Sequence, residues 1–423
     1  MTTGTAGRTG RSALPARLIH PDPTVRRLSV ITFVNTLGNG LFMTLGVLWF
    51  TRMLGFGAAQ VGLGLTAAGV CGVLAGVPAG RAADRWGAKR VLVVLVAAEA
   101  LGTAGYTLVD GYAAFVPLAC LVATADRGSA AVRNALYADV LPADGRVAGR
   151  AYLRSVTNIG IALGACLAAL VLQADTRGAY LAALLFDAVT FVAVAVLYAV
   201  LVPNPAPAGP AGPGPVAGAG ANPALRNLPF LAVTALNAVL VLQFAMLEIG
   251  VPLWIVRETD APRAMVAGSM LVNTVLVIAL QVPATRGVAE PAGAARAFRH
   301  GGLLVAASCG VLALAHGVPT TAAALLVVAG VGLQALGEVR GQAGTWSLSY
   351  DLAGEGAHGA YQGVFNTGQA AALMLGPALV TWLVIGHGLL GWLVLAGLFT
   401  AGGLAMGPTV RWAQRRSAPA LAA

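Results

Sequence analysis

Roughly twelve runs of about 20 apolar residues follow one another along this chain, and each is long enough to cross a bilayer as an α-helix. Only 10% of the 423 residues are charged and 58% are hydrophobic, whereas a soluble domain carries about 25% charged residues. The sequence therefore predicts an all-α membrane protein. Its spans are expected at 28–50, 58–79, 91–109, 113–137, 150–172, 179–202, 228–256, 264–285, 301–317, 319–346, 359–385 and 388–408.

The lysine and arginine residues set the expected orientation, because they are enriched in loops on the cytoplasmic side. Nineteen of them lie in segments on the same side as the N-terminus, against four in the opposite loops: Arg52, Arg177, Arg257 and Arg263. The first run is too long for a signal-peptide core and is expected to be retained. We therefore expect a multi-pass protein of the cell (inner) membrane with both termini in the cytoplasm.

The chain divides after the sixth run, where residues 203–225 hold seven prolines among Gly and Ala. Such a stretch is typical of an extended linker. Short matches relate the two sides of it, such as Thr32-x-x-Asn35 with Thr234-x-x-Asn237 and Val77-Pro78-Ala79 with Val282-Pro283-Ala284. We predict a cytoplasmic N-terminal tail (1–27), a six-helix bundle (28–202), a Pro/Gly-rich cytoplasmic linker (203–227), a second six-helix bundle (228–408) and a cytoplasmic C-terminal tail (409–423).

A dense charged turn separates the second and third runs, with the sequence Gly80-Arg-Ala-Ala-Asp84-Arg85-Trp-Gly87-Ala-Lys89-Arg90. Four of these eleven residues are cationic, so the turn must lie at the membrane surface. The pattern resembles the loop between helices 2 and 3 of the major facilitator superfamily. That resemblance spans nearly the whole chain, and it implies a transporter of twelve helices in two pseudo-symmetric six-helix bundles.

The resemblance also implies a conformational latch in this turn. Asp84 would bind backbone N–H groups at the start of the eleventh helix, near His358 to Tyr361, only while the cytoplasmic side is closed. Gly80 and Gly87 would allow a close helix approach and a sharp turn. The cations Arg85, Lys89 and Arg90 either belong to the latch or serve as plain cytoplasmic anchors, and Asp139 is a candidate partner for Lys89 or Arg85.

Ionisable residues within two predicted spans are the candidates for coupling or substrate binding, because such groups are costly in a bilayer. The fourth run carries Asp126 and Arg127, with Arg133 nearer its inner end, and the tenth run carries Glu338 and Arg340. By the resemblance, both runs line the central cavity. Asp126 and Glu338, each with an arginine one or two positions away, either couple transport to protons or form static ion pairs that set helix packing.

Further polar residues fall on the first and seventh runs, which line the same cavity by the resemblance. Glu248 either binds a cationic group or is a satisfied structural acid. Asn35 and Asn39 are four residues apart and share one helix face, where they either hold a substrate or join helices. Glu99 and Asp187 fall on runs expected at the periphery, so we expect structural roles for them.

These features favour proton-coupled efflux of a small amphipathic compound, a drug or natural product, by alternating access. The exporter signatures that the superfamily carries in helices 4 and 5 are only loosely matched, as in Gly160-x-x-x-Gly164-Ala165. An uptake symporter for a sugar or organic acid and a non-transporting membrane sensor remain alternatives. The expected partners are the substrate, protons and the lipid bilayer, in a monomer that binds no nucleic acid. No enzyme motif, phosphate loop or metal-ligand spacing stands out, so we expect no enzymatic activity, cofactor or metal.

Overall fold

The computed structural model describes residues 20–142, 145–203, 222–354 and 357–417, and nearly all of them are helical. The predicted linker and tails lie largely outside the described residues. Six helices form the N-terminal half: α1 (Pro23–Leu48), α2 (Ala58–Trp86), α3 (Ala88–Gly105), α4 (Tyr112–Val140), α5 (Arg146–Ala174) and α6 (Arg177–Leu201).

Six more helices form the C-terminal half. They are α7 (Leu228–Ala245), α8 (Met265–Leu280), α9 (Pro291–Ala313), α10 (Thr320–Asp351) and two helices within His358–Ser417. Gly388 breaks that last stretch with φ 55° and ψ −126°, which separates α11 (358–387) from α12 (389–417). The prediction of an all-α chain with twelve spans is thus confirmed. We call the end of the bundle where α1 begins and α12 ends the terminal end.

Nine helical stretches in the described residues are long and apolar enough to cross a bilayer, and the last of them holds both α11 and α12. The two remaining spans are α8, which is shorter, and α9. The ninth helix begins ten residues before the predicted run 301–317. Its first turns carry Arg296, Arg299 and His300, which hide the helix start from a search for apolar runs.

Equivalent helices pack in equivalent ways in the two halves. Helix α1 lies against α5 so closely that a Cβ on Gly160 would meet the side chain of Thr36, and α7 lies against α11 with Gly368 against Thr234. Each half also has hydrophobic clusters of its own, which lie within 25–202 and within 233–410. Small residues provide this packing because helices in a membrane gain most from close backbone approach.

Both halves interrupt their first helix in the same manner. A π-helical turn, Trp49–Met53, follows α1, and another, Met246–Gly250, follows α7 before the helix resumes as Val251–Glu258. Such turns widen the helix locally and frequently occur at functional sites. The second turn contains Glu248, and its side chain is exposed.

Candidate functional site

Helices α2 and α11 cross at the terminal end with their backbones in contact. A Cβ on Gly80 would collide with the carbonyl group of Gly359, and a Cβ on Gly363 would collide with the carbonyl oxygen of Gly76. Only glycine leaves room for this approach. The crossing joins the N-terminal half directly to the C-terminal half.

The carboxylate of Asp84 lies at the start of α11. The N–H of Gly359 donates to Oδ1 at 2.7 Å, and the N–H of Ala360 donates to Oδ2 at 2.7 Å. A helix N-terminus has unpaired N–H groups and a partial positive charge, so it favours a carboxylate in this position. This is the contact that the sequence led us to expect; its role as a latch remains a proposal.

Three further residues of the charged turn have described contacts or turns within the N-terminal half. Gly87 ends α2 with φ +89°, a conformation that favours glycine and redirects the chain into α3. Lys89 Nζ donates to the carbonyl of Val202 at the end of α6 at 2.7 Å, rather than to Asp139. Arg85 lies 5.7 Å from the ring of Trp86, and Arg90 is exposed.

A second contact between the halves was not expected from the sequence. Arg146, Arg150 and Arg154 follow one face of α5 at four-residue spacing, and we call them the arginine stripe. They face α10, where Glu338, Gln342, Trp346 and Tyr350 repeat with the same spacing. Matching periods on two helices place charge opposite charge or aromatic ring at every turn.

Arg150 makes the most contacts in the arginine stripe. Its guanidinium donates to the hydroxyl of Tyr350 at 2.6 Å and lies 5.1 Å from the ring of Trp346. Arg146 lies 5.1 Å from the other aromatic partner, the ring of Tyr350. Tyr350 in turn donates to the carbonyl of Asn134 at 3.3 Å. These are cation–π contacts, one charge-assisted hydrogen bond and one neutral hydrogen bond, and all of them cross between the halves.

Glu338 lies at the inner end of this interface, near the middle of the bundle. It accepts hydrogen bonds from three amide groups: Asn273 at 3.2 Å, Gln334 at 3.3 Å and Gln342 at 3.1 Å. Arg154 of the opposite half is 4.0 Å away. The sequence suggested Arg340 as the neighbouring cation, but Arg340 instead donates to the carbonyl of Ala284, at the end of α8.

Asp126 on α4 occupies a different environment from Glu338 on α10. It pairs with its neighbour Arg127 at 3.3 Å, and both side chains are nearly half exposed. Arg127 borders a small cavity of about 60 Å³ between α2, α4 and α11, which is lined by Gly72, Gly76, Ala130, Asn366, Thr367, Gln369 and Ala370. A cavity of this size holds water rather than a drug-sized ligand.

Arg133 lies in the interior of the N-terminal half. It hydrogen bonds with Tyr198 and lies within electrostatic range of Glu99 and Asp126. Glu99 accepts a short hydrogen bond from Ser129 and is 4% exposed. Asp187 is 1% exposed beside Thr190. The buried acids Glu99 on α3 and Asp187 on α6 thus form one group with the charges of α4. The sequence did not reveal this group, because its members are far apart along the chain.

The remaining predicted residues line the first helix of each half. Asn35 is buried and Asn39 half-buried on α1. Glu248 is exposed beyond α7 and lies within electrostatic range of Arg154 and Glu338. The structure thus brings Glu248 and Glu338 together and leaves Asp126 and Asn39 apart from this group of charges.

Comparison with known proteins agrees with this architecture. The family model of the Major Facilitator Superfamily matches residues 28–377. The human organic anion transporter TETRAN superposes with a TM-score of 0.71 at 16% identity, over 91% of this chain and 99% of the other. None of the curated proteins matches the chain in sequence.

Two bacterial transporters of known structure are similar as well. A bacterial homologue of the iron transporter ferroportin, in its outward-facing state, has a TM-score of 0.72 at 13% identity, over 93% of this chain and 99% of the other. The transporter FucP in its outward conformation has a TM-score of 0.71 at 15% identity, over 92% and 98%. At these identities the likeness shows a shared fold.

Proposed function

Since this chain belongs to the major facilitator superfamily, we propose that it is a secondary active transporter that exports a small amphipathic compound in exchange for protons. It spans the membrane several times, and we place it in the cell membrane with both termini in the cytoplasm. The terminal end then faces the cytoplasm. In this orientation the structure corresponds to a state that is closed to the cytoplasm.

One observation supports the proposal: in the described part of the chain, the hydrogen bonds and ion pairs between the halves lie at the terminal end and in the middle of the bundle. Among the described residues, the hydrogen bonds and ion pairs that join the halves run from Asp84 at the surface to Arg154 and Glu338 near the centre. A bundle that is closed at one end alone fits alternating access, because rocking the halves would break this set and form contacts at the opposite end.

Asp126 and Glu338 are the carboxylates that we assign to proton coupling. Each lies on α4 or α10, near the middle of the bundle, and each has an arginine within 4.0 Å. The arginine near Glu338 belongs to the other half, so exchange of Arg154 for a proton as the halves move would link protonation of Glu338 to conformation. Asp126 keeps Arg127 beside it on the same helix and would take up its proton as the cavity around α4 changes its access to water. Glu99 is buried within electrostatic range of Asp126, Arg133 and Asp187, so a proton from Asp126 has a second acidic acceptor within the N-terminal half.

The test is dye transport in inside-out vesicles with an imposed proton gradient. We expect an acidic interior to drive accumulation of a fluorescent amphipathic dye by the unmodified protein. Asp126→Asn or Glu338→Gln should remove the gradient dependence, and in Asp126→Asn the exchange of labelled for unlabelled dye should continue. Full gradient-driven rates in both variants would contradict the coupling assignment. Dye movement driven with the opposite polarity would indicate an uptake symporter.

The proposed latch gives a separate prediction. In Asp84→Ala the two N–H groups at the start of α11 lose their acceptor, and a carboxylate at a partly exposed helix N-terminus contributes about 1–2 kcal/mol. We expect a transport rate lowered about tenfold in proteoliposomes, with normal insertion. Arg90→Ala is the control, because Arg90 is an exposed charge in the same turn. Unchanged transport by Asp84→Ala would remove the latch.

A further inference from the structure

One guanidinium and two carboxylates form a charged group between the halves. Arg154 comes from α5 of the N-terminal half, whereas Glu338 and Glu248 both belong to the C-terminal half. Arg154 and Glu338 lie within electrostatic range of Glu248. With all three ionised, two negative charges face one positive charge. Such an excess of negative charge attracts a further cation, and most strongly beside a carboxylate as buried as Glu338.

The three side chains are satisfied to different degrees. Glu338 is 3% exposed and already accepts from three amides. Arg154 is 34% exposed, reaches Glu338 only at 4.0 Å, and its Nε is buried without a hydrogen-bond partner in the described structure. Glu248 is exposed, with no hydrogen bond described for its carboxylate. Both carboxylates therefore belong to the C-terminal half, where hydrogen bonds hold Glu338 in place. Arg154 comes from the N-terminal half and is only weakly bound to them.

An aromatic ring completes this group. Phe244 lies one turn before Glu248, and its ring is 5.9 Å from the guanidinium of Arg154. Arginine thus presents a planar cation to an aromatic face and to two carboxylates at the same time. An amphipathic organic cation has the same two requirements, a positive charge and an apolar body.

We propose that Glu248 and Glu338, with Phe244 beside them, bind the charged group of a monovalent amphipathic organic cation, and that Arg154 is a tethered competitor for the same carboxylates. This inference rests on the proposed export function and specifies its substrate class. The carboxylates and the ring lie in one half and Arg154 in the other, so their separation depends on the conformational state.

The arrangement gives release a direction. When the terminal end opens, α5 moves away from α10, and the two carboxylates are free for a cation from the cytoplasm. When that end closes, Arg154 returns to Glu338 and lowers the affinity for the bound cation. A ligand that binds one state more tightly than the other is released by the change of state. In the closed-terminal state the cation would therefore leave toward the opposite side.

The experiment compares two ions of the same shape and opposite charge, tetraphenylphosphonium and tetraphenylborate. Their binding to the purified full-length protein in detergent is measured by calorimetry, with protein-free micelles as the blank. We expect tetraphenylphosphonium to bind more tightly than tetraphenylborate. Glu248→Gln should weaken tetraphenylphosphonium binding about tenfold, as expected for loss of one charged partner, and leave tetraphenylborate binding unchanged.

The direction in which Arg154→Gln changes the affinity for tetraphenylphosphonium distinguishes a competitor from a structural residue. Removal of a competitor should tighten tetraphenylphosphonium binding about tenfold and slow its efflux from vesicles, because release is no longer assisted. An arginine with a merely structural role would not increase affinity when removed. Glu248→Asp, which keeps the charge, should retain most of the binding. Thermal unfolding midpoints of all variants establish that the protein is folded.

Weaker tetraphenylphosphonium binding by Arg154→Gln, a preference for tetraphenylborate, or binding of neither ion would each overturn the cation site. Failure of the export function has a different signature. If tetraphenylphosphonium binds as expected but vesicles move no dye under any gradient, the site stands and transport does not. If vesicles export neutral dyes while neither ion binds, transport stands and the cation site does not.

Discussion

Replacing Gly80 with valine is expected to abolish transport, because the terminal end can then no longer close. A Cβ at this position would collide with the carbonyl of Gly359 and lie 3.1 Å from the Cα of Gly363. These are backbone atoms of a packed helix, which cannot turn aside as a flexible side chain can. Overpacking costs about 1–3 kcal/mol, so the ratio of closed to open protein should fall by roughly 5- to 150-fold.

The closure itself can be measured with spin labels at Arg81→Cys and Arg296→Cys, two exposed positions at the terminal end of opposite halves. The four native cysteines are replaced beforehand. We expect Gly80→Val to shift the inter-label distances to longer values. Gly62→Val is the matched control on the same helix, because a Cβ at Gly62 meets nothing within 4 Å. If Gly80→Val keeps the short distances and the transport rate of Gly62→Val, the α2–α11 crossing does not govern closure.

The sequence was sufficient to predict the number of helices and the place of the charged turn. Twelve apolar runs specify twelve helices because a bilayer requires about 20 apolar residues per span. The Asp84 contact with α11 was expected from the resemblance of the charged turn to the major facilitator superfamily, and the two N–H donors at the start of α11 are where that resemblance put them. Helix ends were harder to place: α9 starts at Pro291, well before the apolar run, because its charged first turns have no hydropathic signal.

The charge partners could not be assigned from neighbours in the sequence. Arg340 is two residues from Glu338, yet successive residues on a helix point in different directions, and Arg340 contacts the end of α8 instead. The partner of Glu338 is Arg154, 184 positions away by residue number and in the other half. In the sequence, the arginine stripe cannot be told from a row of cytoplasmic anchors. Arginines at the cytoplasmic end of a helix fit both anchoring and a contact with another helix. The four-residue spacing of the arginine stripe, matched on α10, was the available signal.

Two separate contacts, which we call the closing devices, join the halves at the terminal end: the α2–α11 crossing and the α5–α10 contact. The α2–α11 crossing relies on glycine backbone contact and one carboxylate, whereas the α5–α10 contact relies on cations against aromatic rings. The backbone atoms of the first cannot move aside, whereas the side chains of the second can exchange their partners for water as the halves separate. The equilibrium between states therefore depends on a steric element and an electrostatic element that can be changed independently.

Removing the central member of the arginine stripe should open the terminal end. In Arg150→Ala, Tyr350 loses a donor at 2.6 Å and Trp346 loses the cation at 5.1 Å. A charge-assisted hydrogen bond contributes about 1.5–3 kcal/mol, and a cation–π contact contributes about 0.5–2 kcal/mol. Because both contacts exist only in the closed state, we expect its population to fall by roughly 30-fold or more, and transport with it.

The spin-label pair at Arg81→Cys and Arg296→Cys reports this change, and Arg90→Ala is the control for loss of an exposed positive charge. Combination with Asp84→Ala tests whether the two devices are independent. Since the devices share no residue and act on one closure equilibrium, their free energies should add, and the fold-changes should multiply within about 0.5 kcal/mol. A double variant no worse than Arg150→Ala alone would mean that the arginine stripe controls closure and that Asp84 follows it.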